Sequence, residues 1–310
     1  MKTMDISKIV VVEKLSRYEY DQRLYNLTGK ETIEKWRSHG ESEEKVAATL
    51  DSHNRQKESL AFARKLLPQS LFVSRDQITR ELAHGSDLVV SLGGDDHLLY
   101  VAHFVNHTPL LGINSDPLTS NGKLLYFIAH DLESLVPRIE KNDVNYEFWT
   151  QLSGKACDGD KVVELPHAVS QYTIKTEDPD GMYRHIIEYR GEQEEQKGSG
   201  FIAATGTGST GWYKGETKYV SPHAYKFPRT EKSARFALMA PWEPNDIPEG
   251  QVTSYKLYKG SLQPGEELSV TLLGHGQCRV TSDALDKRPL YRGNKVIIKL
   301  ADTPLRMVKP

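Results

Sequence analysis

The sequence predicts an α/β N-terminal domain with a parallel sheet, followed by an all-β C-terminal domain of sandwich type. Three observations predict it. Over residues 1–147, apolar runs of strand length alternate with segments of helical periodicity, as in parallel sheets covered by helices. After that point, short strand-like runs follow one another between Gly, Pro, Asp and Asn clusters, and helical periodicity is scarce. The length of 310 residues suits two domains, since domains run to roughly 100–200 residues.

In the first part, Lys8 to Lys14 (KIVVVEK) reads as a buried strand. Glu43 to Leu67 is charged but carries Val46, Leu50, Leu60, Ala63, Leu66 and Leu67 at helical spacing. Ser70 to Ser74 is a second strand, and Asp76 to Ala83 a short helix with Ile78 and Leu82 inward. Leu88 to Leu92 is a third strand, His97 to Val105 a helix and Pro109 to Ile113 a fourth strand. Asp131 to Lys141 is a helix with Leu132, Leu135, Val136 and Ile139 on one face. Tyr18 to Gly40 shows no recognisable pattern.

In the second part the strand candidates are Glu147 to Leu152, Ala168 to Lys175, Tyr183 to Tyr189, Gly200 to Ala204, Ala234 to Ala240, Val252 to Leu257, Glu267 to Leu273 and Gln277 to Ser282. The acidic Gly191 to Gly198 (GEQEEQKG) reads as a solvated loop or hairpin tip. The expected division is an α/β domain over 1–147, a β-sandwich over 148–290, and a segment over 291–310 that returns to the first domain.

Composition bounds the function. The chain is 38% hydrophobic and 26% charged, ordinary for a globular protein. A net charge of -2 gives no reason to expect nucleic acid or a membrane surface as partner. The apolar run near the N-terminus is only IVVV, short for a signal-peptide core, and no window approaches the roughly 20 apolar residues of a membrane span. Two cysteines, Cys157 and Cys278, form no motif, which leads to the expectation of a reduced, cytoplasmic protein.

Three stretches carry chemistry. The strand Leu88 to Leu92 ends at Gly93-Gly94-Asp95-Asp96-His97. In an open parallel sheet, ligands bind beyond the C-terminal strand ends. Glycines there admit a phosphate, and the following helix offers free N–H groups. Asp95 or Asp96 could accept a proton from a hydroxyl or hold Mg²⁺. Helix capping would explain one aspartate but not the double glycine. The next strand ends in Gly112 to Pro117 (GINSDP), bringing Asn114 and Asp116 to the same sheet edge; turn formation accounts for either residue alone.

The third stretch, Gly200 to Gly215, contains Gly206, Gly208 and Gly211 in a G-x-G-x-x-G pattern. Gly215 and Pro222 interrupt the helix a dinucleotide fold needs next, so the pattern does not indicate a hydride-transfer enzyme. A Gly/Thr/Ser loop still supplies backbone N–H groups and hydroxyls for a nucleotide. No P-loop and no G-x-S-x-G is present. His103 and His107, spaced i, i+4, lack the partners of a metal site and read as a helix surface pair.

In this order the three stretches resemble the NAD kinase family. Gly93-Gly94-Asp95-Asp96-His97 is similar to its G-G-D-G-T loop, and Gly112-Ile113-Asn114-Ser115 to its G-(I/V)-N-(T/S) strand end. Thr205-Gly206-Thr207-Gly208-Ser209-Thr210-Gly211-Trp212 is similar to its T-x-T-G-S-T-A-Y loop. The tail, with an acidic turn at SDALD and a P-L-R segment, also resembles the family's ending. SDPLTSNGKL and TGTGSTGW look closest to the mitochondrial-type branch.

The resemblance implies a Rossmann-like first domain and a reaction: ATP, or polyphosphate in some members, phosphorylates the 2′-hydroxyl of the adenosine ribose of NAD to give NADP. By position Asp95 activates the hydroxyl. Gly93, Gly94, Asp96, His97, Asn114 and Asp116 then line the site, and Thr205 to Trp212 hold the adenosine part. Mg²⁺ enters with ATP, with Asp96 its one candidate protein ligand. The partners implied are NAD or a related small molecule and further copies of the chain, as a homodimer or homotetramer.

Three departures bear on this. Asp96 and His97 replace the family's glycine and threonine, so a negative charge stands beside the donor phosphates unless Mg²⁺ or a charged His97 offsets it. Leu165 to Val169 replaces the family's A-L-N-E-V, and Ser199 stands where an acid is common. The alternatives are a kinase for another nucleotide, sugar or lipid hydroxyl, and a non-catalytic nucleotide-binding homologue.

Overall fold

A computed structural model describes residues 4–218, 225–243, 247 and 251–310. It divides into two compact units, Met1–Glu147 with Arg306–Pro310, and Phe148–Leu305.

The first unit is built on β1 (Ile9–Glu13), α1 (Arg17–Tyr25), α2 (Gly29–Ser38), α3 (Glu43–Leu66), β2 (Leu71–Ser74), α4 (Arg80–His84), β3 (Leu88–Gly93), α5 (Asp95–Ala102), β4 (Leu110–Asn114), β5 (Phe127–Ile128), α6 (Leu132–Glu140) and β6 (Asn145–Trp149). Its sheet runs β2-β1-β3-β4, then the C-terminal strand, then β6, with β5 also on β4. The pairs β1/β2, β1/β3, β3/β4 and β4/β5 are parallel. Every residue of β3 and β4 is buried, which is why both read as unbroken apolar runs. Ile9, Val11, Leu88, Val90, Leu111 and Ile113 pack with Leu132, Leu135 and Ile139 of α6 into one core.

The second unit comprises β7 (Leu152–Asp158), β8 (Lys161–Ala168), β9 (Gln171–Thr176), β10 (Tyr183–Tyr189), β11 (Glu192–Ala204), α7 (Trp212–Thr217), β12 (Ala234–Pro241), β13 (Lys259–Leu262), β14 (Glu267–Leu272), β15 (Cys278–Ser282), β16 (Asp286–Leu290) and β17 (Lys295–Leu300). The strand order is β16-β15-β9-β11-β10-β14-β17-β7-β8, with β12 on β11 and β13 on β12. β11 changes partner along its length: Glu192 to Gly198 pair with β10, and Gly200 to Ala204 with β9. That exchange lets one antiparallel sheet fold over a single core of Tyr172, Phe201, Phe236, Leu268, Val296 and their neighbours. Phe201 and Phe236 stack with centroids 5.8 Å apart.

Several expectations are corrected. The unpatterned Tyr18 to Gly40 forms α1 and α2. Their start signals are capping boxes, Ser16 with Glu19 and Thr28 with Glu31; α1 buries none of its residues and α2 only Thr32 and Trp36, too few to make a long apolar stripe. The helix expected from Asp76 begins only at Arg80, because Thr79 caps it through the Leu82 N–H and the 75–77 segment is a turn. The helix expected from His97 begins two residues earlier, at Asp95, and ends at Ala102, so His103 and His107 are not a pair on one helix.

Val252 to Leu257 is not a strand. Its Lys256 and Leu257 N–H groups donate to the Glu194 carboxylate at 2.8 and 2.9 Å, and Ser254 N–H to Glu243, which takes them out of any ladder. Gly191 to Gly198 is mostly strand rather than loop: Glu195 pairs with Arg184 at 2.9 Å, and Gln196 is buried against His185. The segment 291–310 does not return to the first unit as a whole. Val296 and Ile298 of β17 point into the second core, and β17 pairs with β14 and β7. Only β18 (Leu305–Lys309) reaches the first sheet, where it pairs parallel to β4 through Met307 and Leu110.

Candidate functional site

β3 delivers Gly93 to its C-terminal end, and Gly94 is the N-cap of α5 with no side-chain cap. Neither aspartate therefore caps the helix. The first glycine has a packing reason. A Cβ on Gly93 would lie 2.6 to 2.8 Å from the His97 side chain, which occupies that space.

His97 itself is a core residue, 1% exposed. Its Nε2 lies 2.9 Å from the carbonyl of Val12. A carbonyl only accepts, so Nε2 carries the hydrogen. Burial pulls the pKa down to about 4, against the hydrogen bond to Val12, which raises it. The expectation of a charged His97 beside a phosphate is corrected: the ring is neutral near pH 7 because a charge there would be desolvated.

Asp95 stands in the first turn of α5, half-buried. One carboxylate oxygen accepts the Lys123 N–H at 3.0 Å and the other the Leu124 N–H at 2.9 Å. A carboxylate has about four acceptor positions, so the group is fixed in place with capacity left for a further hydrogen bond. Asp96, next to it, is exposed and meets no partner among the described residues.

The loop that holds Asp95 is itself anchored by the other two candidates of this unit. Asn114 Nδ2 donates to the Ser120 carbonyl at 3.1 Å, and its Oδ1 accepts the Asp116 N–H at 3.1 Å. Asp116 is buried and accepts from Arg55 Nε at 2.7 Å, from Ser52 Oγ at 2.6 Å and from Thr119 Oγ1. Burial pushes its pKa up, but the Arg55, Ser52 and Thr119 hydrogen bonds outweigh that and hold the carboxyl below the usual range. Ser59 Oγ donates to the Ser115 carbonyl at 2.8 Å. The polar atoms of Asn114 and Asp116 are thus spent within the unit, tying residues 114–120 to α3. They position the segment whose amides grip Asp95.

In the second unit, Thr205 to Ser209 are buried and Thr210, Gly211 and Trp212 are exposed. Thr205 Oγ1 donates to the Val169 carbonyl at 2.5 Å and accepts the Thr207 N–H at 3.1 Å. Ser209 Oγ donates to the Gly206 carbonyl at 2.6 Å. Gly206 and Gly208 are places of close approach: a Cβ would fall 1.9 Å from the Pro228 carbonyl oxygen and 2.2 Å from that of Ser170. The Thr207 hydroxyl is buried and has no hydrogen-bond partner among the described residues. Trp212 Nε1 donates to Glu216 at 3.0 Å, and the Lys175 ammonium lies 5.0 Å from its ring centroid.

Two sets of residues escaped the sequence reading. Asp283, at φ +50° in the SDALD turn, accepts the N–H groups of Val169, Ser170 and Gln171 at 2.8 to 2.9 Å. It fixes the strand start on which Thr205 and Gly208 rest. Its signal was the acidic turn itself. Arg55 and Ser52 sit mid-helix in a charged segment, and nothing local marks them. Among the described residues no group of three His, Cys, Asp or Glu side chains converges as a metal site would, and no helix is long and apolar enough to cross a membrane.

No protein-family model matches the chain. A curated NAD kinase of Chloroherpeton thalassium is 32% identical over 127 residues, 41% of this chain and 44% of that protein. The chain matches under half the length of the curated NAD kinases to which it is similar. The crystal structure of an NAD kinase from Archaeoglobus fulgidus in complex with ATP superposes with a TM-score of 0.61 at 17% identity, over 97% of this chain and 93% of that one. Yeast NADH kinase complexed with NADH gives 0.66 at 14% identity, over 100% and 84%. The chain has the fold of these kinases, and part of its sequence is similar to NAD kinases.

Proposed function

We propose that the chain is a kinase that transfers the terminal phosphoryl group of ATP to the 2′-hydroxyl of NAD. The ribose oxygen attacks the terminal phosphorus, the bond from that phosphorus to the bridging oxygen breaks, and ADP leaves. The hydroxyl proton passes to the Asp95 carboxylate. The observation that carries this reading is Asp95: an acid at the C-terminal end of a central parallel strand, locked by two backbone amides yet able to accept a further hydrogen bond. The folds shared with an ATP-bound NAD kinase and an NADH-bound NADH kinase support it. Phosphoryl transfer asks the protein mainly for positioning and charge, which suits a site built from anchored loops.

The other residues take supporting parts. Gly93 makes room for the His97 ring, Gly94 opens α5 without a side-chain cap, and the α5 N-terminus favours negative charge. Asn114 and Asp116 position the 123–124 amides. Thr205 to Trp212 serve the adenosine part, with the unpartnered Thr207 hydroxyl and the exposed Trp212 as the groups left for a ligand. Mg²⁺, brought in with ATP, neutralises the triphosphate when bound. Asp96, exposed and without a partner among the described residues, is the carboxylate that fits such an ion.

Incubation with ATP, Mg²⁺ and NAD, with NADP measured by a dehydrogenase that uses only NADP, tests the reading. No NADP, with phosphate found instead on another acceptor, would assign the chain to a different kinase reaction. A second reading, nucleotide binding without turnover, is favoured by Asp96, whose negative charge stands where phosphates would approach. Binding of ATP and NAD without any transfer would establish it. The same reading includes a homodimer or homotetramer in the cytoplasm; the two cysteines, both free, suit a reducing compartment. Light scattering and cell fractionation check these points.

A further inference from the structure

The loop that grips Asp95 contains a chemically weak step. Asn121-Gly122 is the one Asn-Gly pair in the sequence. Asparagine is a thermolabile residue. It is most labile before glycine, because the next backbone nitrogen attacks the side-chain amide carbon and glycine brings no side chain to hinder it. The fold also demands glycine at 122. Its φ is +52°, in the left-handed region, and a Cβ there would fall 2.5 Å from Asn114 Nδ2. The neighbour that makes Asn121 labile is therefore fixed by packing.

Nothing shields the step. Asn121 is exposed, and its side chain makes no hydrogen bond among the described residues. The Gly122 N–H, which holds the attacking nitrogen, donates to no acceptor among them. Asn114, in the same stretch, is the opposite case: it is buried, with Nδ2 and Oδ1 both bonded at 3.1 Å. Directly beyond Gly122 come the amides that matter. Lys123 and Leu124 donate to the Asp95 carboxylate at 3.0 and 2.9 Å, and the Leu125 N–H closes a turn on the Gly122 carbonyl at 3.0 Å.

We propose that Asn121 is a site of spontaneous deamidation, and that isoaspartate formed there releases the grip on Asp95. The Gly122 nitrogen bonds to Asn121 Cγ and the bond from Cγ to Nδ2 breaks. The Gly122 amide proton joins the leaving nitrogen, and ammonia departs from a cyclic succinimide. Solvent water then opens the ring and returns a proton to the Gly122 nitrogen. Attack at Cγ gives aspartate; attack at the main-chain carbonyl gives isoaspartate. Isoaspartate carries the chain through Cβ and Cγ, so the backbone gains one atom just before Gly122. Gly122 is packed against Asn114 and cannot absorb that length, so the Lys123 and Leu124 amides move off Asp95. The effect on turnover rests on the proposed role of Asp95; the modification and the loosened loop do not.

The experiment ages the full chain for days, warm and at mildly alkaline pH, beside Asn121→Gln and Asn121→Asp. The tryptic peptide that ends at Lys123 also contains Asn106 and Asn114, and fragmentation assigns the change among the three. Isoaspartyl methyltransferase with a labelled methyl donor counts isoaspartate. The expected result is isoaspartate at 121 with Asn106 and Asn114 intact. Hydrogen exchange at the Lys123 and Leu124 amides then quickens, and NADP formation falls in proportion to the isoaspartate content. Asn121→Gln keeps its exchange pattern and rate through ageing. Asn121→Asp, which adds the charge without the extra backbone atom, has both when fresh. Asn121 intact in the folded chain, when a synthetic peptide of residues 118–125 has already converted, would overturn the site. Unchanged exchange at the two amides of isoaspartate-bearing protein would overturn the release of Asp95. A fresh parent that makes no NADP, with the isoaspartate and exchange results as expected, sinks the kinase reading alone.

Discussion

The Nε2–H of His97 donates to the carbonyl of Val12 at 2.9 Å, binding the first turn of α5 to the central strand β1. Burial outweighs this bond, which by itself would favour the charged ring, and keeps the imidazole neutral near pH 7. It also explains why Gly93 precedes the aspartates, since the ring fills the space a side chain there would need.

Stability should fall as pH is lowered through the weakly acidic range. His97 and His185 are both buried, and burial pulls both pKa values down to about 4, below the unfolded value near 6.5. Between those values the unfolded chain binds protons that the folded chain does not. The contribution is therefore whole above about pH 6.5, declines as pH falls and is lost by about pH 4, to roughly 3 kcal/mol for each ring. Urea midpoints at pH 7.5 and pH 5 check this. A His97→Gln, His185→Gln variant whose midpoints drop as much as the parent's would show that these rings are not the cause.

Asp95→Asn should lower kcat by about 10² to 10⁴-fold with little change in KM for NAD, the effect expected of a lost proton acceptor. Asparagine keeps one oxygen for one of the two amides but turns an NH₂ toward the other, so a loss of about 1–3 kcal/mol in stability accompanies it. Steady-state kinetics and thermal melting separate the two effects. Full activity in the variant would end the assignment.

Asp116→Ala should destabilise the first unit by roughly 3 kcal/mol, because Arg55 and Ser52 lose their shared acceptor in a buried place. Arg55 is partly exposed and recovers some hydration, which keeps the cost at the lower end of the range for buried pairs. The loop that grips Asp95 loosens with it. A reduced kcat together with faster hydrogen exchange at the Lys123 and Leu124 amides is the expected signature.

Gly206→Ala should damage the Thr205 to Trp212 loop, while Gly211→Ala should be tolerated. The first Cβ would collide with a backbone carbonyl, which cannot swing away as a side chain does; the second meets its nearest atom at 3.5 Å. Thermal midpoints and the affinity for NAD, compared across the two variants, check the contrast.

Local rules made much of this chain readable without coordinates. The all-buried strands β3 and β4 had to be apolar runs, the glycines had to mark close approaches, and the order of three loops pointed to one kinase fold. Even the missed helices α1 and α2 had local signals, the S-x-x-E and T-x-x-E capping boxes at Ser16 and Thr28. What each polar group does with its hydrogen bonds was not legible. Position alone could not tell that His97 turns inward to Val12 while Asp95 is held by amides 28 and 29 residues away. Nor could it tell that Asp116 is spent on Arg55. Secondary structure follows from periodicity between near neighbours. The partner of a buried charge is set by which distant segments the fold brings within about 3 Å, and no short window of sequence contains that information.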